Sequence, residues 1–452
     1  MALLSRLRNR FENPKVNISA GSSSLGFMDA FSIGIGGIVG GGIFATIGLA
    51  IVESRGATYM SFLIGGVVAL LTAYSYLRLS VAYPSKGGTV TFINRAFGEG
   101  LFTGSLNTLL IISYVVLLAV YAYAFATYTA ATFFPKSEYE LWHKVLTCGI
   151  MILLAVINFI GPSIAERSEG FFNVSKLLIL LTFVVLGLFA GDLSFERLSP
   201  ADWVSAPQIV ATGMLVFISY EGFELIANVS DQVRDKEKNL SYAYFGSVIT
   251  AMVFYMFIIV VVIGHLSFSA ITDSRDYALS AAAQVFMGRT GFILLSVGAI
   301  LATASAINAG LFGASKLPLM LAKEGEAPER YERKIWGRYP VGLIVIAILV
   351  LLIANFLELH ALAAAASTGF ILTFLMVNIA NAKLAKETGS RRWICILGAF
   401  VCFAALVILL IQIARDPAHR YELWFIGALI IFPFLYQTVF NAYKHFHKPK
   451  SR

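Results

Sequence analysis

Two carboxylic acids, Glu221 and Glu224, flank Gly222 in the apolar stretch Phe217-Ile218-Ser219-Tyr220-Glu221-Gly222-Phe223-Glu224. One ammonium, Lys176, interrupts a second apolar stretch. In a third, seven glycines fall between Gly34 and Gly48, and three of them, Gly40, Gly41 and Gly42, are consecutive. The acids and the lysine have the chemistry to hold an ion or move a proton, and the glycines can expose backbone to a ligand. Little else in the chain is chemical. The six histidines (His143, His265, His360, His419, His445, His447) show no i, i+4 pair and no carboxylate partner in register, so no metal site is expected. Cys148, Cys395 and Cys402 all lie in apolar stretches, which indicates neither a disulfide framework nor a zinc site. A Gly-x-x-x-x-Gly-Lys loop is missing, so ATP-driven work would need another subunit. With no nucleophile–base constellation either, neither an enzyme nor a cofactor is expected.

The elements that position these residues follow from composition. The 452 residues are 58% hydrophobic and 13% charged, with a mean hydropathy of +0.78, values foreign to a water-soluble domain. A membrane-spanning helix needs about 20 apolar residues, and twelve stretches qualify. They lie near 27–50, 58–82, 104–133, 143–161, 170–190, 207–230, 242–266, 291–322, 340–357, 361–382, 393–414 and 421–442. Continuous rather than alternating apolarity excludes a membrane β-barrel. The first stretch is too long for a signal-peptide core and is read as retained. The expectation is one all-α transmembrane unit over residues 1–452, with short loops, no extramembrane domain and no obligate protein partner.

The net charge of +8 does not indicate nucleic acid. Counted on alternate sides of the twelve spans, Lys and Arg number 25 on the side of the termini and 8 on the other. This asymmetry predicts a multi-pass protein of the cell membrane with both termini in the cytoplasm. Basic tails (Arg6, Arg8, Arg10; Lys444, Lys448, Lys450, Arg452) fit topology determinants and contacts to anionic membrane lipid.

Each glycine disfavours helix by roughly 0.8–1 kcal/mol relative to alanine. Gly36/Gly40 and Gly37/Gly41 satisfy the small-xxx-small packing pattern, but Gly40, Gly41 and Gly42 point about 100° apart and cannot all serve one packed face. A broken helix explains all three, because unwound backbone at membrane depth offers N–H and C=O groups to a ligand. The sixth span raises the same question. Pro207 to Tyr220 is too short to cross a bilayer, so Glu221, Gly222 and Glu224 lie near its middle, where an ionised acid costs about 2.5 kcal/mol or more unless it faces protein or water. A carboxylate that only locks helices together is the alternative reading. Two interrupted spans, five apart, predict an inverted repeat with the substrate between its halves. Repeat one would cover about 27–190 and repeat two about 207–382, leaving the helices of about 393–442 as additions.

Gly36-Gly37-Ile38-Val39-Gly40-Gly41-Gly42-Ile43-Phe44 resembles the span-one signature of the amino acid–polyamine–organocation (APC) superfamily. The stretch Phe217–Glu224 followed by Asp235-Lys236-Glu237-Lys238-Asn239-Leu240 resembles its span-six pattern, and span eight, with Asn308, Ser315-Lys316 and Ala322-Lys323-Glu324-Gly325, fits too. The resemblance implies a LeuT-like fold of twelve helices that moves amino acids or related amines. It further implies that backbone N–H groups of Gly40, Gly41 and Gly42 take the substrate carboxylate. Carbonyls around Ile38, Ile218 and Ser219 would take the ammonium. At the position aligned with Ile218 many members carry a gating aromatic; here the nearest are Phe217 and Tyr220. The residue pairs found at Glu221 and Glu224 vary across the superfamily, so no cationic substrate follows from them.

Phe172-Asn173-Val174-Ser175-Lys176-Leu177-Leu178 resembles span five of proton-coupled and exchanger-type relatives, where a lysine ammonium occupies the place of sodium. The resemblance makes Lys176 the proton-coupling residue and argues against sodium dependence; from position alone, a lysine near a helix end that snorkels to the interface fits equally. The reading is a secondary active transporter that imports amino acids by proton-coupled alternating access. Its binding residues would be Ile38, Gly40, Gly41, Gly42, Phe217, Ile218, Ser219, Tyr220, Gly222 and Glu224. An amino acid or polyamine exchanger and a non-transporting amino acid sensor are the alternatives.

Overall fold

The computed structural model describes residues 25–160, 162–191, 193–333 and 340–447. Arg6, Arg8, Arg10, Lys448, Lys450 and Arg452 lie outside the described residues. Apolar helices carry the chain: α1 (Phe27–Ile38), α2 (Gly41–Ser54), α3 (Thr58–Ala82), α4 (Gly88–Phe97), α5 (Leu101–Phe133), α6 (Tyr139–Ile160) and α7 (Pro162–Phe189). Then come α8 (Ala206–Leu215), α9 (Lys236–His265), α10 (Ala278–Ala314), α11 (Pro340–Phe356), α12 (Leu359–Lys383), α13 (Arg392–Arg415) and α14 (Glu422–His447). Among the described residues no strand forms, only the isolated bridges Leu25–Val233 and Arg55–Trp203.

Nine of these helices, among the described residues, are long and apolar enough to cross a membrane alone. Two bent pairs, α1 with α2 at 43° and α8 with Phe217–Gln232 at 54°, each make one further span. With the shorter α11 they occupy all twelve predicted positions. The chain is therefore an all-helical, multi-pass membrane protein. At its centre α12 is the most enclosed, 78% of its apolar window being buried, whereas α13 and α14, at 33% and 22%, face outward.

The largest differences from the sequence reading lie at the fifth and eighth spans and in one additional helix. The helix that carries the fifth span begins at Pro162, a residue whose fixed φ and missing N–H suit the first helical position, while its apolar stretch, Phe172–Phe189, matches the predicted 170–190. The eighth begins at Ala278, bends at Gly288 (φ 64°, ψ −157°) and ends at Ala314, ahead of a separate helix over Leu317–Lys323. The ten-residue α4 was not anticipated, being too short and polar to register as a span.

A second correction concerns the histidines. His360 Nδ1, at the start of α12, hydrogen-bonds both carboxylate oxygens of Glu422 at 2.8 and 2.9 Å. The His360 and His419 rings stack 3.8 Å apart, and His419 Nδ1 donates to Asp416 Oδ2 at 2.7 Å. Carboxylate partners exist after all: Glu422 reaches His360 through the α12–α14 packing, 62 residues away in sequence, whereas Asp416 pairs with His419 locally at i, i+3. The bond from His419 holds the Asp416 carboxyl below its usual range. Its contribution is thus present at neutral pH and is lost as pH falls through that lowered value.

Where the two bent spans cross, backbone meets backbone. A Cβ on Gly222 would lie 2.3 Å from the Gly37 carbonyl carbon, and one on Gly37 would lie 2.8 Å from Gly222 Cα. Gly222 also has φ 126°, a region that side chains disfavour. Gly222→Ala is therefore expected to cost on the order of 3 kcal/mol or more, read as a large fall in the melting temperature of detergent-purified protein. Gly149→Ala in α6, where nothing lies within 4 Å, should leave it unchanged or slightly raised.

Candidate functional site

The first break is shorter than expected. Ile38 closes α1, Val39 (φ −79°, ψ 55°) and Gly40 (φ −98°, ψ −144°) leave the helix, and Gly41 and Gly42 already belong to α2. Two residues suffice because Val39 N–H still reaches the Ile35 carbonyl at 2.9 Å. No side chain caps α2, so the amides of its first turn keep their donors and the positive end of the helix dipole. The second break is longer. After α8 the chain passes Val216 into a 3₁₀ turn over Phe217–Tyr220, turns at Glu221–Gly222 and resumes as 3₁₀ helix over Phe223–Gln232.

Tyr255 of α9 ties the breaks together. Its hydroxyl lies 2.9 Å from the Ile38 carbonyl and 2.7 Å from that of Ser219. Ser219 Oγ is 2.6 Å from Thr46 Oγ1, and the Ile218 N–H donates to Ser367 Oγ at 3.3 Å. A phenol buried in an apolar span requires such a partner, and here it serves two.

Beside the breaks lies a cavity of about 140 Å³, lined by Gly36, Gly37, Tyr114, Tyr121, Asn173, Lys176, Glu221, Gly222, Glu224 and Ser305 among others. It extends from the crossing toward Gly87, Asn228 and Leu317, the side on which α1 begins. Lys176 Nζ donates to the Gly36 carbonyl at 2.7 Å, and the residue is 1% exposed. Fourteen residues into α7, its ammonium turns to the α1 backbone and not to the membrane interface, so snorkelling does not describe it. Glu224 Oε2 accepts the Gly222 N–H at 2.7 Å and Oε1 the Tyr114 hydroxyl at 3.1 Å. Its carboxylate faces protein.

Of the residues singled out in the sequence, Lys176, Gly222 and Glu224 line this cavity. Ile38, Gly40, Gly41, Gly42, Phe217, Ile218, Ser219 and Tyr220 do not; all are buried behind it. Tyr121 separates the two groups: its ring lines the cavity, and a Cβ on Gly41 would lie 2.7 Å from Tyr121 Cδ1. Phe217 packs edge-on against Phe374, and the Tyr220 hydroxyl donates to the Phe62 carbonyl at 2.7 Å, so both serve the packing. Tyr114, Tyr121 and Tyr255 were missed in the sequence. Their signal was a tyrosine within an apolar span, and Tyr114 and Tyr121, seven apart, share one face of α5.

Two broken apolar helices cross here beside a polar cavity, an arrangement suited to a transport protein. Residues 25–434 match the amino acid permease family, and the chain belongs to it. It is accordingly a member of the APC superfamily, and a transporter, not an enzyme. It is 32% identical over 426 residues to uncharacterized protein MJ0609 of Methanocaldococcus jannaschii, covering 92% of this chain and 96% of that protein. To the inner membrane transport protein YbaT of Escherichia coli it is 30% identical over 411 residues, 91% of this chain and 95% of that one. With the methylthioribose transporter of Bacillus subtilis it shares 24% over 406 residues, 83% and 85% of the two chains.

Tyr255→Phe deletes the hydroxyl that serves both Ile38 and Ser219. It is expected to destabilise the protein by about 1–3 kcal/mol, measured as a lower melting temperature in detergent, whereas Tyr242→Phe on the exposed face of α9 should not.

Proposed function

We propose that the protein imports amino acids by proton-coupled alternating access, with both termini in the cytoplasm. The observation that carries this reading is the hydrogen bond from Lys176 to the Gly36 carbonyl, one turn before the span-one break. A single ammonium holds the backbone that shapes the site. Protonated, it donates a charge-assisted hydrogen bond there; neutral, it keeps only a weak donor and frees α1 to move. Arginine cannot copy this cycle, because guanidinium stays charged at any accessible pH.

The substrate carboxylate is assigned to the amides of Gly40, Gly41 and Gly42, where an uncapped helix start favours an anion. Tyr121 stands between those amides and the cavity, so its ring must swing aside for substrate to reach them. The cavity lies on the side on which α1 begins, which on this reading is the cytoplasmic side. Residues 27–190 and 207–382 act as the two inverted repeats that rock around Gly37 and Gly222, and the helices of 393–442 pack outside them. Amino acid substrates are supported by the family to which the chain belongs.

Uptake of labelled amino acid into proteoliposomes tests this. With an inward proton gradient the wild type should accumulate substrate, up to about tenfold per pH unit for one-proton coupling, and a sodium gradient should add nothing. Lys176→Ala should retain binding but equilibrate substrate without accumulation, and Lys176→Arg should not rescue it. Gly41→Val should bind nothing, its side chain driving into the Tyr121 ring that stands before the amides. Gradient-driven accumulation by the alanine variant contradicts the assignment of Lys176.

A further inference from the structure

Glu221 has no part in the account above. Its side chain is 2% exposed and lines the cavity, yet neither Oε1 nor Oε2 has a hydrogen-bond partner among the described residues. Glu224, three residues away, differs in that both its oxygens accept protein donors. Leaving a buried carboxylate without donors is costly, and such groups in native proteins call for an explanation. A cavity-facing one is explained by a ligand that brings the donors.

The backbone acceptors at the two breaks are already engaged. The carbonyls of Ile38 and Ser219 share the Tyr255 hydroxyl, that of Ile218 accepts the Glu221 N–H at 3.2 Å, and that of Gly36 accepts Lys176 Nζ. The sequence reading placed the substrate ammonium on the first three of these. The geometry points to a different group: we propose that the Glu221 carboxylate receives the ammonium of the transported ligand when the site faces the cytoplasm. An ammonium brings up to three N–H donors and a positive charge, which together satisfy both oxygens and compensate the buried anion. The ligand class is then compounds bearing a protonated amine, with an α-hydroxy acid of the same shape rejected because it leaves Glu221 unpaired and adds a second anion. This deepens the amino acid reading and rests on it for the carboxylate half of the ligand only.

The test is ligand-induced thermal stabilisation of the purified full-length protein, titrated separately with L-alanine, L-alaninamide and L-lactate to give an apparent Kd for each. Alaninamide keeps the ammonium without a carboxylate; lactate keeps the carboxylate without an ammonium. The wild type should prefer alanine to lactate by tenfold or more. In Glu221→Gln, alanine and alaninamide should each weaken by about tenfold to a hundredfold while lactate holds or improves, so that the preference collapses. Glu221→Asp, which keeps the charge, should keep most of the preference. Equal weakening of all three ligands in Glu221→Gln, or an unchanged preference, overturns the proposal, as does a wild type indifferent to the ammonium. A wild type that binds alaninamide but not alanine, with that binding lost in Glu221→Gln, would refute the amino acid reading and leave the role of Glu221 standing. Should Glu221→Gln not fold, the wild-type preference and its retention in Glu221→Asp decide the matter.

Discussion

Everything distinctive in this protein depends on one contact, the backbone of Gly37 against the backbone of Gly222. Two helices cannot approach so closely while each carries side chains at the crossing, and here neither does. Close approach in turn forces both chains out of regular helix, since Gly222 holds a φ of 126° and the first span departs from helix two residues after Gly37. A continuous helix satisfies its own backbone and offers nothing to a solute. Interrupting two of them at one point exposes donors and acceptors where the membrane supplies none.

The neighbouring side chains manage that exposure. Tyr255 serves one carbonyl from each broken span, so a single residue of α9 spans the crossing. Glu224 returns to the Gly222 N–H, closing the sharpest turn with a hydrogen bond. Lys176 reaches across from α7 to the Gly36 carbonyl. Each repairs a backbone group that the break leaves over, and each can release it. Stability and motion therefore draw on the same bonds, and the amides at the start of α2 stay uncommitted behind Tyr121.

Much of this was legible in the sequence because the bilayer is a simple solvent. Length and apolarity locate spans, so α3 matches its prediction residue for residue while the whole broken sixth span, 206–232, and α12 shift by one or two. The glycine run and the Glu221-Gly222 pair marked both breaks, since neither tolerates an ordinary membrane helix. Sequence does not reveal how far a break extends or which groups it leaves unused. Gly41 and Gly42 rejoin the helix because Val39 still finds Ile35, a local hydrogen bond with no compositional signature. The polar start of α7 carries no apolar signal and was cut short in consequence. The pairing of His360 with Glu422 depends on helices meeting 62 residues apart, and Glu221 could be told apart from Glu224 only once the partners of each were seen.

The central claim is that both breaks form one binding site. Hydrogen–deuterium exchange by mass spectrometry, with and without a saturating mixture of the twenty standard amino acids, tests it most directly. The account predicts that substrate slows exchange together in peptides covering Gly36–Phe44 and Phe217–Leu225, with no comparable change in α13 or α14. Protection at one break alone, or in the peripheral helices and at neither break, would contradict it.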